Sequence, residues 1–176
     1  MKRVFLTVGP RGAGKSTFCK QVVRDNPDIA LVSRDEVMLE MLGRTYFAAY
    51  SSEHLIVGRR LEEMTANLLS NGEDTALILD CWNSFPSSRI KITRKLHEQR
   101  ADWIEAWRFV TPEDTCVKWF LERERLKDSI DTRIKASSCR RDHRIYRSYP
   151  VDLAQGFDII REIDPLQESL FPFVLP

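Results

Sequence analysis

The stretch "VFLTVGPRGAGKSTF", residues 4–18, runs from short apolar residues into three glycines, a lysine and two adjacent hydroxyl side chains. The apolar part reads as a buried strand, and a helix starts near Lys15. Between them Gly9, Gly14, Lys15 and Ser16 satisfy G-x-x-x-x-G-K-[ST]. Glycines in this spacing let backbone N–H groups converge on phosphate oxygens, and the helix start adds its positive end. The plain alternative is a glycine-rich turn with a solvated lysine. The strand before and the helix after decide against it. The expectation is a nucleoside triphosphate held by the backbone of Gly9, Gly12, Ala13 and Gly14 together with Lys15, Ser16 and Thr17. Lys15 is to reach the β- and γ-phosphates, the Ser16 hydroxyl to bind Mg²⁺, and the Thr17 hydroxyl to support the loop.

Outward from this loop, short apolar runs alternate with helical patterns. "RVFLTV", "IALVS", "TALILD", "WIEAWRFV" and "FDIIREI" read as strands. Residues 53–72 show apolar side chains at helical spacing and stop at "SNG". Strands alternating with helices predict an α/β fold of the P-loop NTPase kind, a parallel sheet flanked by helices. The 176 residues carry no repeat or linker, so one domain over 1–176 is expected. A net charge of +1 gives no global case for nucleic acid or an anionic membrane; such contact requires a local patch. "MKRVFLTVGP" is too short in its apolar part for a signal peptide and reads as a strand. No segment reaches the roughly 20 apolar residues of a membrane span. Cys19, Cys81, Cys116 and Cys139 are scattered without a CxxC pair, which points to reduced thiols and a cytoplasmic protein, with Cys19 and Cys116 as packing residues. "DPLQESLFPFVLP" is expected to pack irregularly on the body or to present a contact surface.

Two acids fall at strand ends. Asp35 stands where "LVSRDEVMLEML" turns from strand to helix. It can take the proton of an acceptor hydroxyl near the γ-phosphate, or merely complement a helix start capped by Ser33 and Glu36 as S-x-x-E. Asp80 in "ALILDCWN" can hold Mg²⁺, or cap the helix at "NSFPSSR". In "WFLERERLKDSIDTR", Arg123, Arg125, Lys127 and Arg133 can close over the triphosphate, or form a solvated face of Glu–Arg pairs. "RIKASSCRRDHRIYRSY" carries arginines with Tyr146 and Tyr149, a pattern for a single-stranded nucleic-acid channel or for an exposed helix face. His54, His97 and His143 share no ligand spacing, and Trp103, Trp107 and Phe109 read as core.

With these residues in view, the chain resembles P-loop kinases of the polynucleotide 5′-hydroxyl kinase type. "GPRGAGKSTF" and "SRDE" are similar to that family's phosphate loop and R-D-D segment. "LILDCWNSFP" resembles its third-strand aspartate and following turn with one extra residue. "WFLERERLK" resembles its basic lid, and "YPVDLAQGFDIIREI" its closing segment. The likeness runs from Met1 to Asp164, with only the phosphate loop highly specific by itself.

The resemblance implies an adenylate-kinase-like sheet with a lid at about 123–134. It implies transfer of the γ-phosphate of ATP to a hydroxyl, with Mg²⁺. By matched position Lys15 and Ser16 take the phosphate and metal roles, Asp35 becomes the general base, and Asp80 a candidate for the metal or acceptor site. Arg123 matches the first lid arginine. The second falls on Lys127, a point charge in place of a planar fork. The family's acceptor-phosphate arginine falls on Met38, leaving Arg44 or the run at Arg140, Arg141 and Arg144 for that contact. The resemblance is to the kinase region alone, and end-healing by both a kinase and a phosphatase activity is not expected. The acceptor stays open between a polynucleotide 5′-hydroxyl, a tRNA-linked hydroxyl and a small molecule. A non-kinase ATP-binding switch is the alternative class, and the oligomeric state is open.

Overall fold

The structure is a computed structural model describing residues 1–45, 52–71, 74–125 and 132–167, the side chains of 124, 125 and 132–135 excepted. Among the described residues five strands, β1 (Lys2–Val8), β2 (Ile29–Ser33), β3 (Thr75–Asp80), β4 (Trp103–Phe109) and β5 (Ile159–Ile163), form one parallel sheet in the order β2-β3-β1-β4-β5. The opening apolar run is thus a central strand, buried from Val4 to Val8. β1 lies where the order reverses, so its carboxyl end faces the crevice in which open α/β sheets bind ligands.

Helices connect and cover the strands: α1 (Lys15–Asp25), α2 (Arg34–Leu42), α3 (Ser52–Ser70), α4 (Pro86–Glu98), α5 (Glu113–Arg125) and α6 (Thr132–Ser148). Strand side chains alternate between two cores. Val4, Leu6, Val8, Leu77 and Leu79 pack with Val37 and Met38 of α2, Val57 and Leu61 of α3 and Leu96 of α4. Phe5, Ile78, Trp107 and Phe109 pack with Cys19 and Val22 of α1, Cys116 and Phe120 of α5 and Cys139 of α6. Trp107 is buried and stacked on Phe5 at 4.8 Å between ring centroids, and Cys19 and Cys116 are buried, so these are core residues as expected.

Two connections matter for the site. α2 ends at Gly43, in the left-handed region at φ 65, as its glycine predicts. α6 crosses the carboxyl edge of the sheet: Cys139 belongs to one core, while Tyr146 packs against the other. Among the described residues no helix is long and apolar enough to cross a membrane. Pro165, at the start of the terminal segment, lies 3.4 Å from where a Cβ on Gly14 would stand. The last nine positions of that segment fall outside the described residues.

Candidate active site

The loop between β1 and α1 is shaped by backbone that only glycine tolerates. Gly12 has φ 78, and a Cβ there would meet the Cys116 carbonyl oxygen at 2.1 Å. Gly14, at φ 85, occupies the N-cap of α1, so no side chain caps the helix and its first N–H groups stay directed at the loop. The Thr111 hydroxyl donates to the Ala13 carbonyl at 2.8 Å, bracing the loop from the β4 side. Thr17, expected to do this, is exposed, and its hydroxyl has no hydrogen-bond partner among the described residues. The residue at the second turn position simply faces outward once the helix has begun.

Lys15 folds back over its own loop, its Nζ donating to the carbonyls of Gly9 and Pro10, both at 2.8 Å. Burial pulls its pKa below the usual lysine value, and the Asp80 carboxylate pushes in the opposite direction. Asp80 is 7% exposed and accepts from two hydroxyls, Thr7 Oγ1 on β1 and Ser16 Oγ on α1, both at 2.7 Å. It therefore does not cap α4, whose N-cap is Phe85. The helix begins well beyond the strand end, and Asp80 is drawn into the loop instead. Ser16 and Asp80 offer adjacent oxygens of the hard kind that suits Mg²⁺, so these residues fit that ion.

Ser33 pairs with Asp80 in the β2–β3 register, so Arg34 and Asp35 leave the sheet beside the end of β3. Asp35 sits half-buried in the first turn of α2. The expected capping box is not formed: Ser33 is the N-cap but its side chain makes no cap bond, and Glu36 pairs with Lys20 of α1 at 3.0 Å. That ion pair ties α2 to the helix carrying Lys15. Arg34, half-buried, has its pKa lowered by burial and raised by Asp35. Met38 is fully buried in the core, and Arg44 is ion-paired with Glu53.

Of the lid residues, Arg123 is exposed at the end of α5, its guanidinium carbon 5.3 Å from the Phe120 ring centroid. Lys127 lies outside the described residues, as do the side chains of Arg125 and Arg133. The structure thus brings together Lys15, Ser16 and Asp80, sets Asp35 in the first turn of α2 just past the neighbouring strand, and leaves Arg123 over the Phe120 ring.

Residues with no motif complete the site. Arg11, within the loop, donates to Asp142 of α6 at 2.5 Å and lies over Phe120 at 5.7 Å. The Cys139 thiol donates to the Arg11 carbonyl at 3.2 Å. Asn83, wholly buried, donates to the Thr7 carbonyl at 2.7 Å and accepts from Tyr146 at 3.5 Å. His143 and Arg147 of α6 gather around Glu113, at 3.6 and 3.7 Å. A cavity of about 220 Å³ opens beside Gly9 and Pro10, lined also by Thr111, His143, Tyr146 and Val151. The basic run is therefore helical up to Ser148 and clamped onto the loop by its buried side, with Arg140, Arg141 and Arg144 exposed.

A glycine-rich phosphate loop at the switch point of a 2-3-1-4-5 parallel sheet defines a P-loop α/β domain. Residues 4–141 match the model of the AAA domain family AAA_33, and the chain belongs to that family. Among solved structures, a chain of the Pnkp1/Rnl/Hen1 RNA repair complex superposes with a TM-score of 0.68 at 21% identity, over 84% of this chain and 45% of that one. The crystal structure of a fungal RNA kinase gives 0.62 at 17% identity, over 92% and 74%. Shikimate kinase from Acinetobacter baumannii in complex with shikimate gives 0.55 at 14%, over 93% and 84%. This chain spans less than half the length of the repair-complex chain it matches. No curated protein matches it. The P-loop α/β fold expected from the phosphate loop is thereby shown.

Proposed function

We propose that this chain is an ATP-dependent phosphotransferase, one domain over 1–176 with a lid at about 123–134, acting on the 5′-hydroxyl of a polynucleotide. The observation that carries the reading is the Ser16–Asp80 bond beside Lys15, with Asp35 on the adjacent strand end. A triphosphate entering the loop takes the backbone N–H groups at the start of α1 and exchanges the two carbonyls on Lys15 for β- and γ-oxygens. Mg²⁺, held by Ser16 and Asp80, would neutralise phosphate charge when bound. Asp35 accepts the acceptor proton as the new O–P bond forms and the bond from the γ-phosphorus to ADP breaks. Arg123 would meet charge developing on the transferring group.

Polynucleotide kinase and RNA kinase neighbours support the nucleic-acid acceptor, as do Arg141 and Arg144, which have no carboxylate partner among the described residues. One observation favours a small acceptor instead: the position expected to bind an acceptor phosphate is the buried Met38. Transfer from radiolabelled ATP to single-stranded DNA, RNA, nucleosides, sugars and no acceptor, at low and high salt, tests the reading. Salt-sensitive labelling of oligonucleotides, reduced in Arg140→Ala/Arg141→Ala, is expected. Salt-indifferent labelling of a sugar or nucleoside alone would assign the small-molecule reading, and hydrolysis without transfer an ATP-driven switch.

A further inference from the structure

Trp82 is 47% exposed only two residues beyond Asp80, an unusual place for the largest side chain. It contacts Phe85 edge-on at 5.8 Å, and Phe85 lies 5.5 Å from Tyr149, itself 44% exposed. These rings come from two separate connections, one after β3 and one after α6. A single side chain fixes both. Arg89, fully buried in α4, donates to the carbonyls of Asn83 (3.1 Å) and Ser84 (3.0 Å) on one side. On the other it donates to Tyr149 (2.9 Å) and Pro150 (3.0 Å), and its Nε donates to Gln155 at 2.5 Å. Every arm of the guanidinium is used, so the two loops are held in one arrangement. Asn83 adds its bond to Thr7, fixing the same segment to β1. A buried cation costs desolvation, and here it serves to hold exposed aromatic rings in place.

Ser33 pairs with Asp80 in the β2–β3 register, so Arg34 and Asp35 leave the sheet beside the segment that starts with Cys81 and Trp82. The platform therefore stands next to the carboxylate assigned to the acceptor hydroxyl. From its other side α6 runs into Tyr149, carrying exposed Arg141 and Arg144. Aromatic faces beside cations match single-stranded nucleic acid, whose bases stack on rings and whose phosphates seek arginine. We infer that Trp82, Phe85 and Tyr149 form a stacking platform for the terminal base of a single-stranded nucleic-acid acceptor. This rests on the hydroxyl-kinase reading and deepens it, since the base lies one ribose from the reacting hydroxyl. Trp82 is a positioning and specificity residue there, with no part in proton or phosphoryl transfer.

The test separates binding from turnover. Anisotropy of a short single-stranded DNA, labelled at its 3′ end and bearing a 5′-hydroxyl, is followed with a non-hydrolysable ATP analogue present. The same strand with an abasic 5′ residue is the control. Trp82→Ala weakens binding of the ordinary strand about 5- to 100-fold, while Trp82→Phe stays within about threefold of wild type. The abasic strand binds wild type more weakly by a similar factor and is indifferent to Trp82→Ala. Melting temperatures near wild type are expected, because the ring is solvent-facing. Equal affinity of Trp82→Ala and wild type for both strands overturns the platform, as does an equal loss on both strands. Sedimentation in which Trp82→Ala dissolves a dimer would show that a second copy occupies the rings, and overturns it too. Trp82-dependent binding without phosphoryl transfer keeps the platform and sinks the kinase; transfer without Trp82-dependent binding does the reverse.

Discussion

Replacing Asp80 by asparagine removes one charge while keeping the side chain's size. The carboxylate accepts from Thr7 and Ser16 at 2.7 Å each, so two charge-assisted bonds become neutral ones. Each such bond weakens by about 1 to 1.5 kcal/mol, and losing a nearly buried charge returns part of that in desolvation. A net loss of about 2 kcal/mol follows, or roughly 4–8 °C in melting temperature for a chain of this size. Activity should suffer far more. The substituted amide presents no anion to the ion or to Lys15, and transfer from ATP should fall by about 10²–10³. Thr7→Val supplies the comparison: it removes one hydroxyl to the same carboxylate but leaves the charge. It should cost about 1–2 kcal/mol of stability and less than about tenfold in transfer. Radiolabel transfer across a magnesium titration, run beside thermal melts, measures both quantities. If Asp80→Asn and Thr7→Val lose activity in proportion to their melts, Asp80 is a scaffold for the loop and the assigned role is wrong.

Asp35→Asn should keep ATP affinity and the melt while transfer falls by roughly 10²–10⁴, since Ser33 makes no side-chain cap bond whose loss could confuse the result; parallel loss of fold and rate would mark the acid as structural. Gly12→Ala should lower stability by about 3 kcal/mol or more and abolish nucleotide binding, because its Cβ would sit 2.1 Å from the Cys116 carbonyl at positive φ; a wild-type urea midpoint would contradict the loop geometry. Burial raises the thiols of Cys81 and Cys116 to about 12 and Cys139 to about 11. Raised folded values mean that this stability is intact below pH 9 and is lost as pH climbs from 9 toward 12, at about 1.4 kcal/mol per pH unit for each thiol. Urea melts between about pH 8 and pH 10.5 check it, and a flat profile refutes it.

The five strands were legible because turn residues bracket them: "IALVS" and "TALILD" coincide with β2 and β3 to the residue. The phosphate loop was legible because its chemistry is local. Asp80 was not. Cap and metal roles look alike within "ALILDCWN", and the bonds that draw Asp80 away from the cap reach Thr7 and Ser16, in a distant part of the chain. Ser33 and Glu36 erred in the opposite sense, a correct local pattern overridden when Lys20 on another helix claimed the glutamate. Thr111 took the bracing role expected of Thr17 because it approaches from β4, which sequence proximity cannot reveal. Arg89 gave no signal at all: an arginine in "PSSRIKITRKLHE" reads as surface, and only the carbonyls of two distant loops make it interior.

Lys15 is already satisfied by its own loop, since two carbonyls hold its ammonium. Nucleotide entry is therefore an exchange of partners, and only the excess of the new contacts over the old ones counts toward affinity. A lone monovalent anion replaces two good acceptors with a single charge and gains little. A triphosphate brings several oxygens to the ammonium and the helix start at once, so its gain grows with the number of phosphates it presents. On the proposed reading, the loop would grade anions by length before any base or sugar is read. Adenosine monophosphate and inorganic phosphate, with a single phosphorus group each, are expected to compete for the ammonium less well than a triphosphate.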